Sequence, residues 1–195
     1  MVCGSRNHVA TESGPLQSTD LELAGRARKG DRSAFHELLD RHAAFLFSLA
    51  VSRVGNAADA EDVVQETLFG AFRGLRAFEG RSSVKTWLVG ILIRQTAMHR
   101  RHVMRRRVEP LESGAEAQSS PRASSPAAVA DARLDVTAAI QGLSPDHRDV
   151  VVLRELHGLS YEEMAQALGL PRGTVESRLF RARRELQERL KAYLG

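Results

Sequence analysis

Apolar residues return every three or four positions along most of this chain, which is the pattern of amphipathic helices. The longest example runs from Arg32 to Val54, with Leu38, Phe45 and Leu49 on its buried side. Further helices are predicted over residues 20–29, 57–75, 83–107, 132–141 and 145–157. No segment convincingly favours a strand, although the period of the apolar run 150–153 fits either a strand or a helix. We therefore expect an all-α fold.

The same periodicity assigns a buried face to each predicted helix. Most of the assigned positions are aliphatic, and a few are aromatic or Met. The assigned positions include Leu21, Phe72, Trp87, Met98, Val136 and Leu156.

The helical pattern stops at two places where the composition also changes. Residues 1–19 are polar and rich in Ser, Thr and Gly, so we expect a disordered N-terminal tail. Residues 108–130 are rich in Ser, Ala and Pro and lack aromatic residues, as is typical of a flexible linker. This linker would join two small helical domains, residues 20–107 and residues 131–195.

Between Leu159 and Leu190 the sequence predicts two short helices joined by a tight turn. Ser160 and Glu163 have the spacing of a capping box, which begins the first helix. Gly169 suits a left-handed helix end, and Pro171 suits the first position of the next helix. This is the spacing of a helix-turn-helix, in which the second helix reads DNA.

The second helix of this pair has two different faces. Its buried stripe consists of Val175, Leu179, Ala182, Leu186 and Leu190. The opposite face is rich in phosphate and base-edge binders and consists of Arg172, Gly173, Glu176, Ser177, Phe180, Arg181 and Arg184. A solvated basic face with one stray aromatic residue is the alternative interpretation, and the preceding capped helix and turn disfavour it.

The helix over residues 57–75 carries an unusual outward surface, which we call the acidic stripe. Its members are Asp59, Asp62, Gln65, Glu66, Phe69 and Arg73. Acidic residues in a first turn complement the helix dipole, so a plain solvated face is one interpretation. An acidic surface that ends in an exposed aromatic also suits docking of a basic partner helix. Periodicity leaves these two interpretations even.

A loop over residues 76–82 leads into a helix whose exterior becomes basic towards its end. Phe78 and Trp87 near a cationic helix are the ingredients of a single-strand binding site, where aromatic side chains hold unstacked bases. His99 and His102 have a spacing that can chelate a metal ion. No Cys or carboxylate cluster accompanies them, so we predict no metal site.

Charge and composition restrict the classes of function. The net charge is +4 and the pI is about 9.8, with basic clusters at residues 100–107 and on the predicted recognition helix. Cys3 is the one cysteine, which excludes an internal disulfide framework. Without a signal-peptide pattern or a long apolar run, we expect a cytoplasmic protein with no membrane insertion. No nucleophile, carboxylate pair or cofactor motif occurs at catalytic spacing, so we predict neither enzyme activity nor a cofactor.

Two long motifs in this chain resemble a known family. Residues 59–101 read DAEDVVQETLFGAFRGLRAFEGRSSVKTWLVGILIRQTAMHRR, which is similar to region two of bacterial sigma factors of the extracytoplasmic-function (ECF) class. Residues 143–186 read LSPDHRDVVVLRELHGLSYEEMAQALGLPRGTVESRLFRARREL, which is similar to region four of the same family. The resemblance implies two helical domains, promoter recognition, and core RNA polymerase as the partner. It also implies a regulating anti-sigma protein.

The resemblance assigns roles to the surfaces described above. The acidic stripe would dock on the clamp helices of the largest polymerase subunit, and region four would meet the flap of the second-largest subunit. The melted minus-10 element would be held by Arg76, Phe78, Glu79, Ser82, Ser83, Lys85 and Trp87, with Arg94, Arg100 and Arg101 on phosphates. Minus-35 bases would face Glu176, Ser177, Phe180 and Arg181, with Arg172, Thr174, Arg178 and Arg184 on the backbone.

This sequence departs from the family pattern at Glu176, where many members carry Lys or Arg. A carboxylate there could accept a hydrogen bond from cytosine N4, or could simply lower non-specific affinity. The alternative function is a helix-turn-helix regulator that is not a polymerase subunit; the acidic stripe and the loop at Phe78 argue against it.

Overall fold

The computed structural model describes residues 18–108 and 136–194, and every regular element in those two ranges is helical. The N-terminal bundle contains α1 (Asp20–Arg28), α2 (Arg32–Val54), α3 (Ala57–Gly74), a 3₁₀ turn (Leu75–Ala77) and α4 (Val84–Val108). The C-terminal bundle contains α5 (136–141), α6 (Pro145–Val151), a π-helical turn (Val152–Leu156), α7 (Tyr161–Leu168) and α8 (Arg172–Leu194). The all-α prediction is confirmed. Cys3, nearly all of the predicted tail and nearly all of the predicted linker lie outside the described residues.

Side-chain caps fix the helix boundaries where the sequence placed them. The Ser160 amide donates to Glu163 Oε2 at 2.8 Å, and the Glu163 amide donates to Ser160 Oγ at 3.2 Å. Gly169 ends α7 with a φ of +65°, a left-handed conformation that favours glycine. Ser83 Oγ accepts from the Thr86 amide at 3.0 Å at the start of α4. The helix-turn-helix punctuation is therefore confirmed at each predicted position between Ser160 and Gly169.

One apolar core runs through both bundles. Leu38, Leu49 and Leu88 are fully buried in the N-terminal bundle, and Leu153 and Leu179 are buried to 1 % or less in the C-terminal bundle. Burial of one large aliphatic side chain contributes about 1.5–3 kcal/mol, so this burial is the main term that stabilises the fold. The buried stripe predicted for the recognition helix is confirmed at its first three positions, Val175, Leu179 and Ala182.

Five positions that periodicity assigned to the core are exposed. They are Leu21, Phe72, Met98, Val136 and Leu156. Leu156 ends the π-helical turn, in which the wider coil rotates the following side chains away from the face that a 3.6-residue period predicts. Met98 lies in the second half of α4, and Leu21 lies in the first turn of α1.

Phe72 is the one aromatic residue among these five. It is 64 % exposed, yet its ring packs edge-on against Phe35 with a centroid distance of 5.4 Å. The ring therefore covers the surface of the bundle instead of filling it. Trp87, for which the sequence suggested a core position, is half-buried.

The two bundles pack directly against each other. Helix α4 lies along α7, and α2 contacts the π-helical turn. At the centre of the contact, Arg53 of α2 forms an ion pair with Asp149 of α6, with Nη1 and Oδ1 2.7 Å apart. Arg53 is fully buried. This contact, between residues far apart in sequence, is not predicted by any local pattern.

Candidate polymerase-docking and DNA-binding surfaces

The acidic stripe lies on the outward face of α3, as the sequence predicts. Asp62 and Glu66 are exposed, and Phe69 is 59 % exposed. Gln65 and Arg73 are exposed on the same face. The stripe therefore presents free carboxylates beside an aromatic ring, which suits a basic helix that also offers apolar contacts.

Asp59 differs from the rest of the acidic stripe because it already has partners. Its Oδ2 accepts from the Asn56 side-chain amide at 2.8 Å, and its backbone amide donates to Asn56 Oδ1 at 2.9 Å. Its Oδ1 lies 3.3 Å from His99 Nε2 on α4. Asp59 thus helps to begin α3 and to tie it to α4.

A groove of about 1010 Å³ continues the acidic stripe towards α1 and α2. Its floor is apolar and includes Phe35, Leu68 and Phe72. Its lining also includes one carboxylate, Asp31, and five basic residues, Arg28, Lys29, Arg32, Arg73 and Arg76. Because Phe69 and Arg73 belong to both features, the groove and the stripe form one continuous surface.

The loop before α4 is packed more closely than the sequence suggests. Phe78 is 9 % exposed, and its ring lies against Trp87 with a centroid distance of 4.8 Å. Glu79 is exposed and lies 2.5 Å from Arg81. Trp87 therefore borders the loop as half of an aromatic pair, and the Phe78 ring is not open to solvent.

The basic residues of α4 lie in different environments. Arg94 and Arg101 are exposed, whereas Lys85 lies over the Phe45 ring, with its Nζ 4.3 Å from the centroid. Arg100 is half-buried, and its Nη1 is buried without a hydrogen-bond partner among the described residues. Of the three predicted phosphate binders, Arg94 and Arg101 are therefore exposed and Arg100 is half-buried.

The recognition helix α8 brings the predicted base-facing residues together on its exposed face. Phe180 is 64 % exposed, and Ser177 and Arg181 are exposed beside it. Arg184 is exposed one turn further on. Of the predicted backbone contacts, Thr174 is half-buried, and Arg178 is half-buried and paired with Asp146 at 3.0 Å.

Glu176 is paired with a neighbouring arginine at the start of the recognition helix. Arg172 Nε donates to Glu176 Oε1 at 2.8 Å, and Arg172 Nη1 also contacts Glu162 Oε1 on α7. Hydrogen bonding to Glu176 raises the pKa of the Arg172 guanidinium, and the charge of Glu162 acts in the same direction. Because all three side chains are exposed, this chain of ion pairs contributes little stability. It does orient the Glu176 carboxylate on the DNA-reading face.

Comparison with known proteins supplies the family. The family model for sigma-70 region 2 matches residues 38–106, and the model for sigma-70 region 4 matches residues 133–186. The chain is 37% identical over 184 residues to the ECF RNA polymerase sigma-E factor of Escherichia coli (strain K12), which covers 89% of this chain and 95% of that protein. This protein belongs to the ECF sigma factor family. It is also 34% identical over 190 residues to the RNA polymerase sigma-H factor of Pseudomonas aeruginosa, covering 91% of this chain and 97% of the relative.

Solved structures of similar chains include complexes. CnrH in complex with the cytosolic domain of CnrY superposes with a TM-score of 0.66 at 27% identity, covering 90% of this chain and 99% of that one. The sigma factor RpoE in complex with the anti-sigma factor NepR from Bartonella quintana superposes with a TM-score of 0.62 at 31% identity, covering 80% and 96%. The region two and region four resemblance of this ECF sigma factor is thus confirmed at the level of family and fold.

Sequence reasoning missed one group of residues in this ECF sigma factor. Arg53, Arg148, Asp149 and Gln141 form the polar contact between the two bundles. The burial of Arg53 could have been predicted from the sequence. Arg53 follows Leu46, Leu49 and Ala50 at helical spacing, so it lies at a core position of α2. A charged residue at such a position requires a buried partner.

Two features are absent from the ranges 18–108 and 136–194. No group of three or more His, Cys, Asp or Glu side chains is arranged to hold a metal ion there. None of the helices in these ranges has the length and apolar content needed to cross a membrane.

Proposed function

We propose that this protein binds core RNA polymerase and directs initiation at promoters that carry minus-35 and minus-10 elements. The observation that carries the proposal is that family matches to region 2 and region 4 each coincide with an exposed surface of suitable chemistry. The protein itself makes and breaks no covalent bonds. It selects the promoter and stabilises the open duplex, and the polymerase performs synthesis.

The acidic stripe of α3 is the proposed polymerase contact. Asp62, Glu66 and Phe69 are its exposed centre, and Gln65 and Arg73 extend it. Carboxylates that face the clamp helices would steer association and fix its register. Asp59 contributes to this surface and, through Asn56 and His99, to the folding of α3. Region four is proposed to meet the flap of the second-largest subunit.

The loop over residues 76–83 and helix α4 are the proposed minus-10 site. Arg76, Glu79 and Ser83 are exposed on the loop, and Ser82 is half-buried. A flipped base would bind beside Trp87, with Phe78 as the wall behind it, and Lys85 at the start of α4 would lie nearby. Arg94, Arg100 and Arg101 would follow the strand along its phosphates.

The exposed face of α8 is the proposed minus-35 reader. Glu176, Ser177, Phe180 and Arg181 would face base edges in the major groove, where an aromatic ring can contact the thymine methyl group. Arg172, Thr174, Arg178 and Arg184 would bind the sugar-phosphate backbone and fix the register. Opening is stabilised when the minus-10 site captures bases, because each capture offsets an unstacking cost of a few kcal/mol.

We also propose control by an anti-sigma protein. The relative RpoE of Bartonella quintana forms a complex with the anti-sigma factor NepR, and its fold matches this chain with a TM-score of 0.62. Such a partner would cover the polymerase and DNA surfaces.

The proposal is tested by adding the purified protein to core polymerase and a library of promoter fragments. We expect transcripts that start at discrete promoters and need both components. Absence of promoter-dependent transcripts, together with binding of a palindromic duplex by a dimer of the protein alone, would replace the proposal with a helix-turn-helix regulator.

A further inference from the structure

The loop before α4 has an exposed apolar neighbour on α1. A Cβ placed on Gly80 would lie 3.6 Å from Leu21 Cδ2, and no other described residue beyond its chain neighbours comes within 4 Å of it. Gly80 is exposed and has a φ of +72°, a left-handed conformation that favours glycine. Leu21 is 57 % exposed. The turn of the loop and the Leu21 side chain therefore border the same open space.

The first turn of α1 is held in place, so the exposure of Leu21 does not come from a frayed helix end. Thr19 and Glu22 form a capping box, in which the Thr19 amide donates to Glu22 Oε2 at 2.7 Å. Asp20 Oδ2 lies 2.7 Å from His42 Nε2 on α2, which ties the same turn to the bundle. These contacts fix the position of Leu21 beside the loop.

The loop itself offers little apolar surface to a base. The Phe78 ring is buried against Trp87, and Trp87 is half-buried. Between residues 79 and 83 the exposed side chains are Glu79, Arg81 and Ser83, all of them polar or charged. A base that leaves the duplex needs apolar or aromatic side chains to replace the stacking that it loses. Part of that surface must therefore come from outside the loop.

Leu21 has the position and the chemistry to supply this surface. Helix α1 contacts the 3₁₀ turn that precedes the loop and also contacts α4, which follows it. Single exposed apolar residues are common on protein surfaces and need no special role. Leu21 differs from such residues because it lies against the loop that is proposed to hold bases, and because a base placed there would cover it.

We infer that Leu21 contacts an unpaired base of the minus-10 element and forms the apolar wall of its pocket on the α1 side. An aliphatic side chain contacts the face of any base, whereas hydrogen bonds from the loop distinguish base edges. Leu21 therefore adds affinity for unpaired DNA and little sequence preference. This inference rests on the proposed function, because it assumes that the loop captures a base.

Binding of forked DNA tests the contribution of Leu21. Core polymerase carrying the protein is titrated with a forked fragment that leaves the non-template minus-10 strand unpaired, and with a duplex that carries the minus-35 element alone. Leu21→Ala should weaken binding of the forked fragment about three- to tenfold, because alanine gains less than leucine when a base covers it. Binding of the minus-35 duplex should stay unchanged. The variant should fold normally, since Leu21 is exposed.

Leu156→Ala is the matched control. Leu156 is 51 % exposed, close to the value for Leu21, but it lies in the C-terminal bundle. This variant should bind the forked fragment as the wild-type protein does. A loss in Leu156→Ala equal to that in Leu21→Ala would overturn the inference, because the effect would then follow from removing any exposed leucine.

A photocross-link distinguishes direct contact from support of the loop. Benzoylphenylalanine introduced at position 21 should cross-link to the non-template strand within the unpaired segment of the forked fragment. The same group at position 156 should give no cross-link to that segment. A side chain that only supported the loop would weaken binding when truncated, but it would not cross-link to the strand.

The outcomes separate the Leu21 contact from the proposed function. Unchanged affinity of Leu21→Ala for the forked fragment, an equal loss on both fragments, or no cross-link from position 21 overturns the contact and leaves the proposed function intact. If the wild-type protein with core polymerase does not bind the forked fragment, the proposed function and the inference fail together.

Discussion

Arg53 and Asp149 are 96 positions apart in sequence and form a buried double contact, with Nη1 and Oδ1 2.7 Å apart. The pair joins α2 of region two to α6 of region four. Both side chains are buried, so each charge would be unsatisfied without the other.

The first prediction concerns this pair. Asp149→Ala should lower the free energy of unfolding by about 3–5 kcal/mol, because Arg53 is left buried without a carboxylate. Asp146→Ala on the same helix is the control, since Asp146 is exposed and its contact with Arg178 should contribute about 0–1 kcal/mol. The measurement is urea unfolding followed by circular dichroism. Equal losses in the two variants would show that the buried pair does not stabilise the folded protein.

The acidic stripe gives the second prediction. Asp62→Lys combined with Glu66→Lys should abolish binding to core polymerase, because it reverses the charge that faces the basic partner. Both side chains are exposed, so the melting temperature should change little. Glu37→Lys with Asp40→Lys on α2 makes the same change of charge outside the stripe. Retained core affinity in the first variant, measured by fluorescence anisotropy, would reject this surface as the docking site.

Arg181 gives the third prediction. Arg181→Ala should weaken initiation at the best minus-35 sequence by about 1–3 kcal/mol and relax preference at one position. Arg183→Ala is the matched control, because Arg183 is bound to Glu155 at 2.6 Å and lies off the predicted DNA-reading face. The readout is initiation from a library randomised at the minus-35 element. A uniform loss on all sequences would instead make Arg181 a phosphate contact.

Glu176 gives the fourth prediction. Arg172 orients its carboxylate through Oε1, and we expect the carboxylate to accept from cytosine N4. Glu176→Gln should then lower the preference for cytosine at one minus-35 position in the same library. If affinity rises equally for every sequence and the preference persists, Glu176 only weakens non-specific binding.

His157 gives a pH-dependent prediction. Burial lowers the pKa of His157 in the folded protein, and the Lys85 ammonium lowers it further. The unfolded chain has a histidine pKa of about 6.5, so it binds more protons than the folded protein as the pH falls through that value. Lowering the pH from 7 to about 5 should therefore lower the free energy of unfolding, measured by urea unfolding at each pH. His157→Phe keeps an aromatic partner for Phe45 and should reduce this dependence; an unchanged dependence would exclude His157 as its source.

Much of this fold could be predicted because it depends on interactions between residues that are close in sequence. The capping box of Ser160 and Glu163, the left-handed Gly169 and the stripe of Val175, Leu179 and Ala182 depend on residues at most a few turns apart. These features gave the helix-turn-helix and the exposed face with Phe180. The family motifs extended the prediction to partners.

Periodicity was wrong where the geometry departs from a regular helix or where a helix leaves the core. Leu156 is the last residue of a π-helical turn, and Phe72 lies on the surface against Phe35. The sequence predicts that Phe78 helps to hold unstacked bases, and the structure places its ring against Trp87 with little exposure. Each of these outcomes depends on a neighbour that the local pattern does not contain.

The helices, their caps, the exposed acidic and recognition faces and the family could all be predicted from the sequence. The packing of the two regions, the contact between Arg53 and Asp149 and the partial burial of Arg100 appear only in the three-dimensional fold. The difference lies in how far apart in sequence the interacting residues are. Caps and amphipathic stripes arise from neighbours within one or two helical turns, whereas a buried ion pair needs two distant charges to lose water at the same place.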